Sequence, residues 1–178
     1  GAPRHDSGGR RFRENSPFVG RAREIAEISR RLSLAGAGET AKAEAEWRKA
    51  IELEPRLAEP YASLIASYRG RGETAKALAV AKEAAASGAE TAELEFEIGL
   101  AYAASGDPAT AKRWLESALR LRPTYAAALA QLGRIAQDQG RVDEALSRYR
   151  AALAVERDPT ERARLGAIIS ELSGVTGK

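Results

Sequence analysis

Apolar residues recur along this chain at spacings of three and four, the period that is typical of amphipathic helices. A second amphipathic segment follows each stripe, as at Ala145, Tyr149 and Ala152. The pattern therefore predicts helices that come in pairs. The stripes that belong to the first helix of a pair are Tyr61, Leu64, Ile65 and Tyr68, then Ile98, Gly99 and Tyr102, then Leu129, Leu132, Gly133 and Ala136.

The helix pairs repeat with a fixed length. The hexapeptide Gly-Glu-Thr-Ala-Lys-Ala stands at residues 38–43 and again at residues 72–77, a separation of 34 residues. A fixed period of this size is the signature of a repeat array. Extending the period aligns one glycine and two alanines in every copy, namely Gly38, Gly72, Gly106 and Gly140, then Ala43, Ala77, Ala111 and Ala145, then Ala50, Ala84, Ala118 and Ala152.

Prolines mark the ends of the predicted helices. Asp107-Pro108 and Asp158-Pro159 each combine an N-cap with a proline in the first turn, so a helix is expected to start at both. Pro55 and Pro123 fall where the second helices of two pairs must end, because proline disfavours helical backbone in the residue before it.

Leu132-Gly133, the paired alanines and the closing proline at 34-residue spacing resemble the tetratricopeptide repeat, over residues 22–173. The resemblance implies an all-α fold, a right-handed superhelical array of antiparallel helix pairs with four repeats and a C-terminal capping helix. The expected organisation is a basic, disordered tail at 1–16, an array at 17–173 and a flexible C-terminus at 174–178. Within the array, the repeats are 22–57, 58–91, 92–125 and 126–159, and the cap helix is 160–173.

The period slips by two residues at both ends of the array. At the start, a first helix moved two residues earlier places Ile25, Ile28, Ser29 and Leu32 on the packing face, with a longer turn at Gly36-Ala37-Gly38. At the end, a displaced stripe predicts the cap helix, whose other side is polar. That stripe is Leu165, Ile168, Ile169 and Leu172, and the polar side carries Glu161, Arg162, Arg164, Ser170 and Glu171.

Composition argues against catalysis. The chain has no cysteine and a single histidine, His5, so disulfides, thiolate chemistry, a histidine-ligated metal and a Ser/His triad lack their residues. We therefore expect neither an enzyme nor a cofactor. No apolar run has the length of a membrane span, and no signal-peptide pattern is visible.

The net charge of +3 is unevenly distributed. Residues 1–23 hold six arginines against Asp6 and Glu14, a balance of +4, and the remainder holds 22 basic and 23 acidic residues, a balance of −1. Arg10-Arg11-Phe12-Arg13 could bind nucleic acid or an acidic membrane, but the charge does not continue onto the repeats. A solvated tail is the preferred interpretation, and neither nucleic acid nor membrane is expected as a partner.

Two other segments have a competing interpretation. Gly36 to Lys42 faintly resembles a phosphate loop, but it lacks the Walker spacing, so a turn between repeats is preferred. Phe18-Val19-Gly20-Arg21 with Glu24 resembles the opening of some helical-linked ATPase modules, whereas Ser16-Pro17 indicates an ordinary helix start.

The resemblance implies a concave surface built from the first helices. It carries an apolar floor with isolated arginines, which suits an amphipathic helix or extended segment with apolar anchors and a carboxylate. The alternative is that the alanines only let the helices pack. The family's lysine/asparagine clamp for a chaperone C-terminus is absent. The candidate partner-binding residues are Arg30, Glu59, Ala62, Ala66, Arg69, Glu93, Phe96, Leu100, Ala127, Ala130 and Arg134.

The expected function is a scaffold or adaptor that binds a peptide or helix of another protein. Two alternatives remain: a self-associating module that forms a homo-oligomer, and the non-catalytic repeat region of a larger enzyme or regulator. Alanine- and arginine-rich usage suggests a bacterial source. The expected location is the cytoplasm, or the periplasm if a leader was removed.

Overall fold

The computed structural model describes residues 37–176, which form eight helices joined by short turns and no strand. This confirms the all-α prediction for the described part of the chain. The helices are α1 (Ala37–Leu53), α2 (Ala58–Gly70), α3 (Thr74–Ser87), α4 (Ala92–Ala104), α5 (Pro108–Leu121), α6 (Ala126–Asp138), α7 (Val142–Val155) and α8 (Pro159–Thr176). The predicted first helix of repeat one, with Ile25, Ile28, Ser29 and Leu32, lies outside these residues.

Helices that follow one another in the chain pack side by side. The pairs α2/α3, α4/α5 and α6/α7 each form a helical hairpin, α8 closes the array against α7, and α2 also contacts α4. The main helix contacts run within pairs and between neighbouring pairs, as a one-dimensional solenoid requires. The predicted solenoid of helix pairs is therefore confirmed.

The three hairpin turns close in the same way. Each contains a glycine with positive φ: Gly72 (71°), Gly106 (83°) and Gly140 (72°). Only glycine adopts this conformation without steric cost. The amide after each glycine donates to a carbonyl five residues earlier, at 2.9–3.0 Å, which satisfies an orphan carbonyl of the ending helix. The repeating glycine of the sequence is thus a repeated helix stop.

Gly38 is the exception. The turn predicted at Gly36-Ala37-Gly38 is wrong at Ala37 and Gly38, because α1 begins at Ala37 and includes both residues. Ala41 and Lys42, which follow in the sequence, are good helix formers. The segment that resembled a phosphate loop is therefore helical from Ala37 onward.

The predicted helix ends are confirmed where side chains cap them. Asp107 accepts a hydrogen bond from the Thr110 amide at 3.0 Å, and Asp158 accepts from the amides of Thr160 and Glu161 at 2.9 Å. These bonds satisfy amides that have no partner inside the helix. Helices α1 and α5 end two residues before Pro55 and Pro123.

The core lies between the helices of each pair. All eight alanines aligned by the 34-residue period from Ala43 to Ala152 are buried. Gly99 and Gly133 let the partner helices approach closely, since a Cβ on either would lie 3.0 Å from Leu115 or Tyr149. In α8, Leu165 and Leu172 are buried while Glu161 and Arg164 are exposed, as expected of a cap. This packing leaves one side of α2, α4 and α6 exposed or half-buried among the described residues.

Candidate partner-binding face

The first helices α2, α4 and α6 carry ten of the eleven residues predicted to bind a partner, and Arg30 lies outside the described residues. We call their outward side the first-helix face. Side chains of four of the ten are exposed, namely Glu59, Glu93, Ala127 and Arg134. Five are half-buried, namely Ala62, Ala66, Arg69, Phe96 and Ala130.

Leu100 is the tenth residue, and the structure corrects its placement. Its side chain is only 8% exposed, so it belongs to the interior and not to an exposed floor. Helix α4 packs against α2, α3 and α5 at once, and Ile98, Gly99 and Ala101 beside Leu100 are buried as well. Because α4 is packed on several sides, fewer of its residues are exposed than the apolar pattern of its own sequence predicts.

A cavity of about 460 Å³ opens on the first half of this face. We call it the first cavity. Among the described residues, its apolar walls are small side chains and one indole, and its polar lining consists of hydroxyls and two carboxylates. The lining residues are Thr40, Ala43 and Trp47 of α1, Ala62, Ser63, Ala66 and Ser67 of α2, Glu93 and Glu97 of α4, and Tyr125.

Glu97 forms an ion pair with Arg69 across the gap between α4 and α2, with 2.7 Å between Oε2 and the guanidinium Nη1. Its side chain is 19% exposed. Burial raises the pKa of Glu97, and the nearby charge and hydrogen bond of Arg69 only partly offset that effect. Arg69 is therefore already paired within the protein. This corrects the sequence-based prediction that Arg69 is an isolated arginine on the binding surface.

Glu93, one helical turn before Glu97 in α4, pairs with Arg122. The Arg122 guanidinium also lies 4.6 Å from the centre of the Tyr125 ring, a cation–π distance. Tyr125 in turn lies against Phe96, with 5.0 Å between ring centres. Burial raises the pKa of the Tyr125 hydroxyl, the charge of Arg122 opposes the rise, and the charge of Glu97 adds to it. This cluster connects α4 to the segment that leads into α6.

A second, smaller cavity of about 180 Å³ lies between α6 and the cap helix. Arg134 is exposed there, and its Nε donates to the Gln131 side chain at 3.0 Å. Among the described residues it has no carboxylate partner, whereas Arg164 pairs with Glu161 at 3.2 Å. The second cavity is lined by Ala126, Ala127, Ala130, Gln131, Arg134, Tyr149, Glu156, Glu161, Arg164, Leu165 and Ile168.

Residues 102–169 match the family model described as "Tetratricopeptide repeat". Solved structures of repeat proteins also match the fold over most of the chain. The described residues therefore have the fold of tetratricopeptide repeat (TPR) proteins, and the family match itself covers residues 102–169. A search of curated protein sequences finds no match.

Three solved structures illustrate how widely the TPR match extends. MamA superposes with a TM-score of 0.67 at 18% identity, over 91% of this chain and 85% of that one. YrrB, described as a TPR protein with an unusual peptide-binding site, gives 0.65 at 21% over 91% and 84%. PilW, described as a type IV pilus biogenesis factor, gives 0.64 at 22% over 88% and 69%. At these identities the likeness establishes the fold.

Six of the ten described residues of the predicted binding set line one of two cavities. Ala62, Ala66 and Glu93 line the first cavity, and Ala127, Ala130 and Arg134 line the second. Tyr125 and Ala126 are neighbours in sequence, yet they line different cavities. The first-helix face therefore carries two cavities that share no lining residue among those described, and its partner-binding role stays a prediction.

Several lining residues escaped the sequence analysis. Ser63, Ser67 and Glu97 lie one residue beyond predicted positions, and the Phe96–Tyr125 contact brings Tyr125 into the first cavity. The 34-residue period relates Ser63 to Glu97, which was also missed, and Ser67 to the buried Ala101, so it gave no signal for the serines. Nothing in a single sequence predicts that Arg69 pairs with Glu97.

Two further observations concern other kinds of site. Among residues 37–176, no group of three or more metal-ligating side chains comes together, and no helix is both long and apolar enough to cross a membrane. A third cavity, of about 560 Å³, lies along α5, and every described residue that lines it belongs to this one helix, including Arg113, Trp114 and Arg120.

Proposed function

We propose that this TPR protein is a protein–protein interaction scaffold whose first-helix face holds a segment of a partner. The observation that carries the proposal is the first cavity. Its volume of about 460 Å³ lies within the range of roughly 300–1,000 Å³ that is usual for ligand sites. Its lining combines an apolar wall with a few polar groups that can fix the orientation of a bound chain.

The chemistry of the face favours binding and offers little for catalysis. Ala62 and Ala66 leave room for a partner's side chain, while Ser63 and Ser67 supply hydroxyls for hydrogen bonds to its backbone. The carboxylates that line the cavity are already engaged with arginines. A cleft of this kind recognises an extended or helical segment through apolar anchors and a polar rim.

The likeness to YrrB supports the same function. That protein is described as a TPR protein with an unusual peptide-binding site, and it shares the fold with this chain over 91% of the residues. We carry over the class of ligand, a peptide, and not the position of its site.

The test introduces the same substitution, alanine to glutamate, at two positions of the chain. Peptides selected from a random phage-displayed library on the full chain are measured by calorimetry against Ala66→Glu and Ala85→Glu. Ala66 lines the first cavity, whereas Ala85 is exposed on α3 and lines none of the cavities described above. We expect Ala66→Glu to abolish binding and Ala85→Glu to leave it unchanged, with equal helicity by circular dichroism. Equal binding by both variants would remove the proposal.

Leu100→Arg, the obvious charge reversal from the sequence, is not a suitable probe. Leu100 is buried, so an arginine there would place a charge in the interior and unfold α4. Loss of binding would then report loss of structure.

A further inference from the structure

Arg134 lines the second cavity with its charge uncompensated. Its side chain is exposed, its Nε donates to Gln131 Oε1 at 3.0 Å, and neither Nη nitrogen has a hydrogen-bond partner within residues 37–176. Arg69, the other described arginine of the predicted binding set, is already paired with Glu97. Of the two, Arg134 is therefore the one whose guanidinium is available to another molecule.

The repeat explains this difference between the two cavities. The 34-residue period places Gln131 of α6 at the position that Glu97 occupies in α4. The carboxylate of Glu97 neutralises Arg69, whereas the side-chain amide of Gln131 carries no charge. Its hydrogen bond restrains the guanidinium of Arg134 and leaves the positive charge in place.

The other charged groups of the second cavity are engaged elsewhere. Glu161 pairs with Arg164 on α8 at 3.2 Å. Glu156 accepts hydrogen bonds from two backbone amides of the turn that precedes α8, at 2.7 and 2.9 Å. Asp138, one turn further along α6, does not line the cavity and forms no ion pair with Arg134 in the described part of the chain. The described charges of this cavity therefore leave Arg134 unpaired.

An accessible apolar wall lies beside this guanidinium. Ala127 of α6 is exposed, and Ala130 of α6 and Ile168 of α8 are half-buried, so an incoming side chain can contact all three. The volume of about 180 Å³ is below the range of roughly 300–1,000 Å³ that is usual for complete ligands. The cavity is therefore suited to one or two side chains of a longer segment.

We propose that the second cavity binds an acidic residue of a partner segment together with an adjacent apolar residue. The carboxylate accepts two parallel hydrogen bonds from the Nη nitrogens of Arg134, and the apolar side chain lies on Ala130 and Ile168. The inference rests on the proposed function, because it states what a segment on the first-helix face must carry beside α8. The cap helix then takes part in recognition as well as in closing the array.

The test uses a defined probe, the capped peptide acetyl-Ala-Leu-Glu-Leu-Ala-amide, and the same peptide with glutamine in place of glutamate. Both are titrated into the full isotope-labelled chain, and NMR follows the amide signals of Ala127, Ala130 and Ile168. We expect saturable shifts, with the glutamate peptide binding about fivefold more tightly, the upper range for a partly exposed ion pair. Equal affinities, or no shift at these amides, would overturn the inference. Shifts confined to the first cavity would overturn it and leave the proposed function intact.

Two variants assign the preference to Arg134. Arg134→Gln should give both peptides the same, weaker affinity, whereas Arg150→Gln, at an exposed arginine of α7 that lines none of the described cavities, should keep the preference for glutamate. A preference that survives in Arg134→Gln would assign the carboxylate to another group and contradict the inference.

Dilution of the chain without peptide tests whether a second copy is the occupant. The three amide signals should not depend on protein concentration. If they shift on concentration and the peptide fails to reverse that shift, a second copy fills the cavity and the inference is wrong.

Discussion

The ring of Tyr149 in α7 lies directly against the backbone of Gly133 in α6, so close that a Cβ on Gly133 would stand 3.0 Å from two ring carbons. The same relation holds 34 residues earlier, where a Cβ on Gly99 would stand 3.0 Å from Leu115. In α4 and α6 the glycine of the first helix is thus matched to a large side chain of the second helix. This match fixes how closely each pair packs.

Gly133→Ala is therefore expected to destabilise the protein. Alanine is the better helix former by about 1 kcal/mol, but the new methyl group meets a ring held by buried neighbours, and overpacking costs about 1–3 kcal/mol. The net change in the free energy of unfolding should be a loss, measured by urea denaturation followed by circular dichroism. Gly166→Ala in α8, where nothing lies within 4 Å, should gain up to about 1 kcal/mol. A gain in both variants would show that Tyr149 moves aside freely.

Replacing Glu95 is expected to stabilise the protein, the opposite of the effect expected for Gly133→Ala. Its side chain is 4% exposed in α4, and Oε2 has no hydrogen-bond partner among the described residues. The same repeat position holds Tyr61 and Leu129, both buried. Glu95→Leu removes an unsatisfied buried group and should raise the free energy of unfolding by about 1–3 kcal/mol. The matched exposed change, Glu90→Leu, should stay within about 0.5 kcal/mol. A loss of stability in Glu95→Leu would reveal an essential partner for the carboxylate.

Glu97 is expected to titrate above the usual range. Its pKa is raised by burial, so the folded protein binds its proton more tightly than the unfolded chain does. The contribution of this group to stability is therefore present at low pH and declines as pH rises from the unfolded pKa through the folded one. Carboxyl carbon shifts followed by NMR should place Glu97 above, and Asp107 below, their ordinary values, since the Thr110 amide lowers the pKa of Asp107.

Arg69→Met extends the same titration. Without the guanidinium that opposes the effect of burial, the pKa of Glu97 should rise further. The pKa of Asp107 serves as the internal control, because its causes do not include Arg69. An unchanged pKa of Glu97 in Arg69→Met would mean that the ion pair contributes nothing in solution.

The cap of α4 gives a fourth prediction. Thr91 Oγ1 accepts a hydrogen bond from the Leu94 amide at 3.1 Å. Thr91→Ala should therefore lower the free energy of unfolding by about 0.5–2 kcal/mol in thermal or denaturant melts. Thr124→Ala, at an exposed threonine just before α6 where no side chain caps the helix, should have almost no effect. Equal losses of stability in Thr91→Ala and Thr124→Ala would indicate that the backbone preference of threonine, and not the capping hydrogen bond, is the cause.

The sequence predicts correctly those features that depend on a single helix or a single turn. The buried alanines, the caps at Asp107 and Asp158 and the glycine turns each depend on residues a few positions apart, and the alanines recur in all four copies of the period. The pairing of Arg69 with Glu97 and the burial of Leu100 depend on how three or more helices approach one another. Those distances follow from the volumes of packed side chains, which a periodic pattern does not record.

The match between Gly133 and Tyr149 also bears on how such an array can grow. Ile65 in α2 corresponds to the two glycines, and Ala81 in α3 corresponds to Leu115 and Tyr149; both are fully buried. In every hairpin a bulky residue thus lies opposite a small one. In α2/α3 the bulky residue is on the first helix, whereas in α4/α5 and α6/α7 it is on the second helix. Gene duplication of an intact hairpin preserves the fit, whereas recombination between its two helices would leave a void or a clash. The hairpin is accordingly the smallest unit that evolution can copy, insert or delete here without repacking the interior.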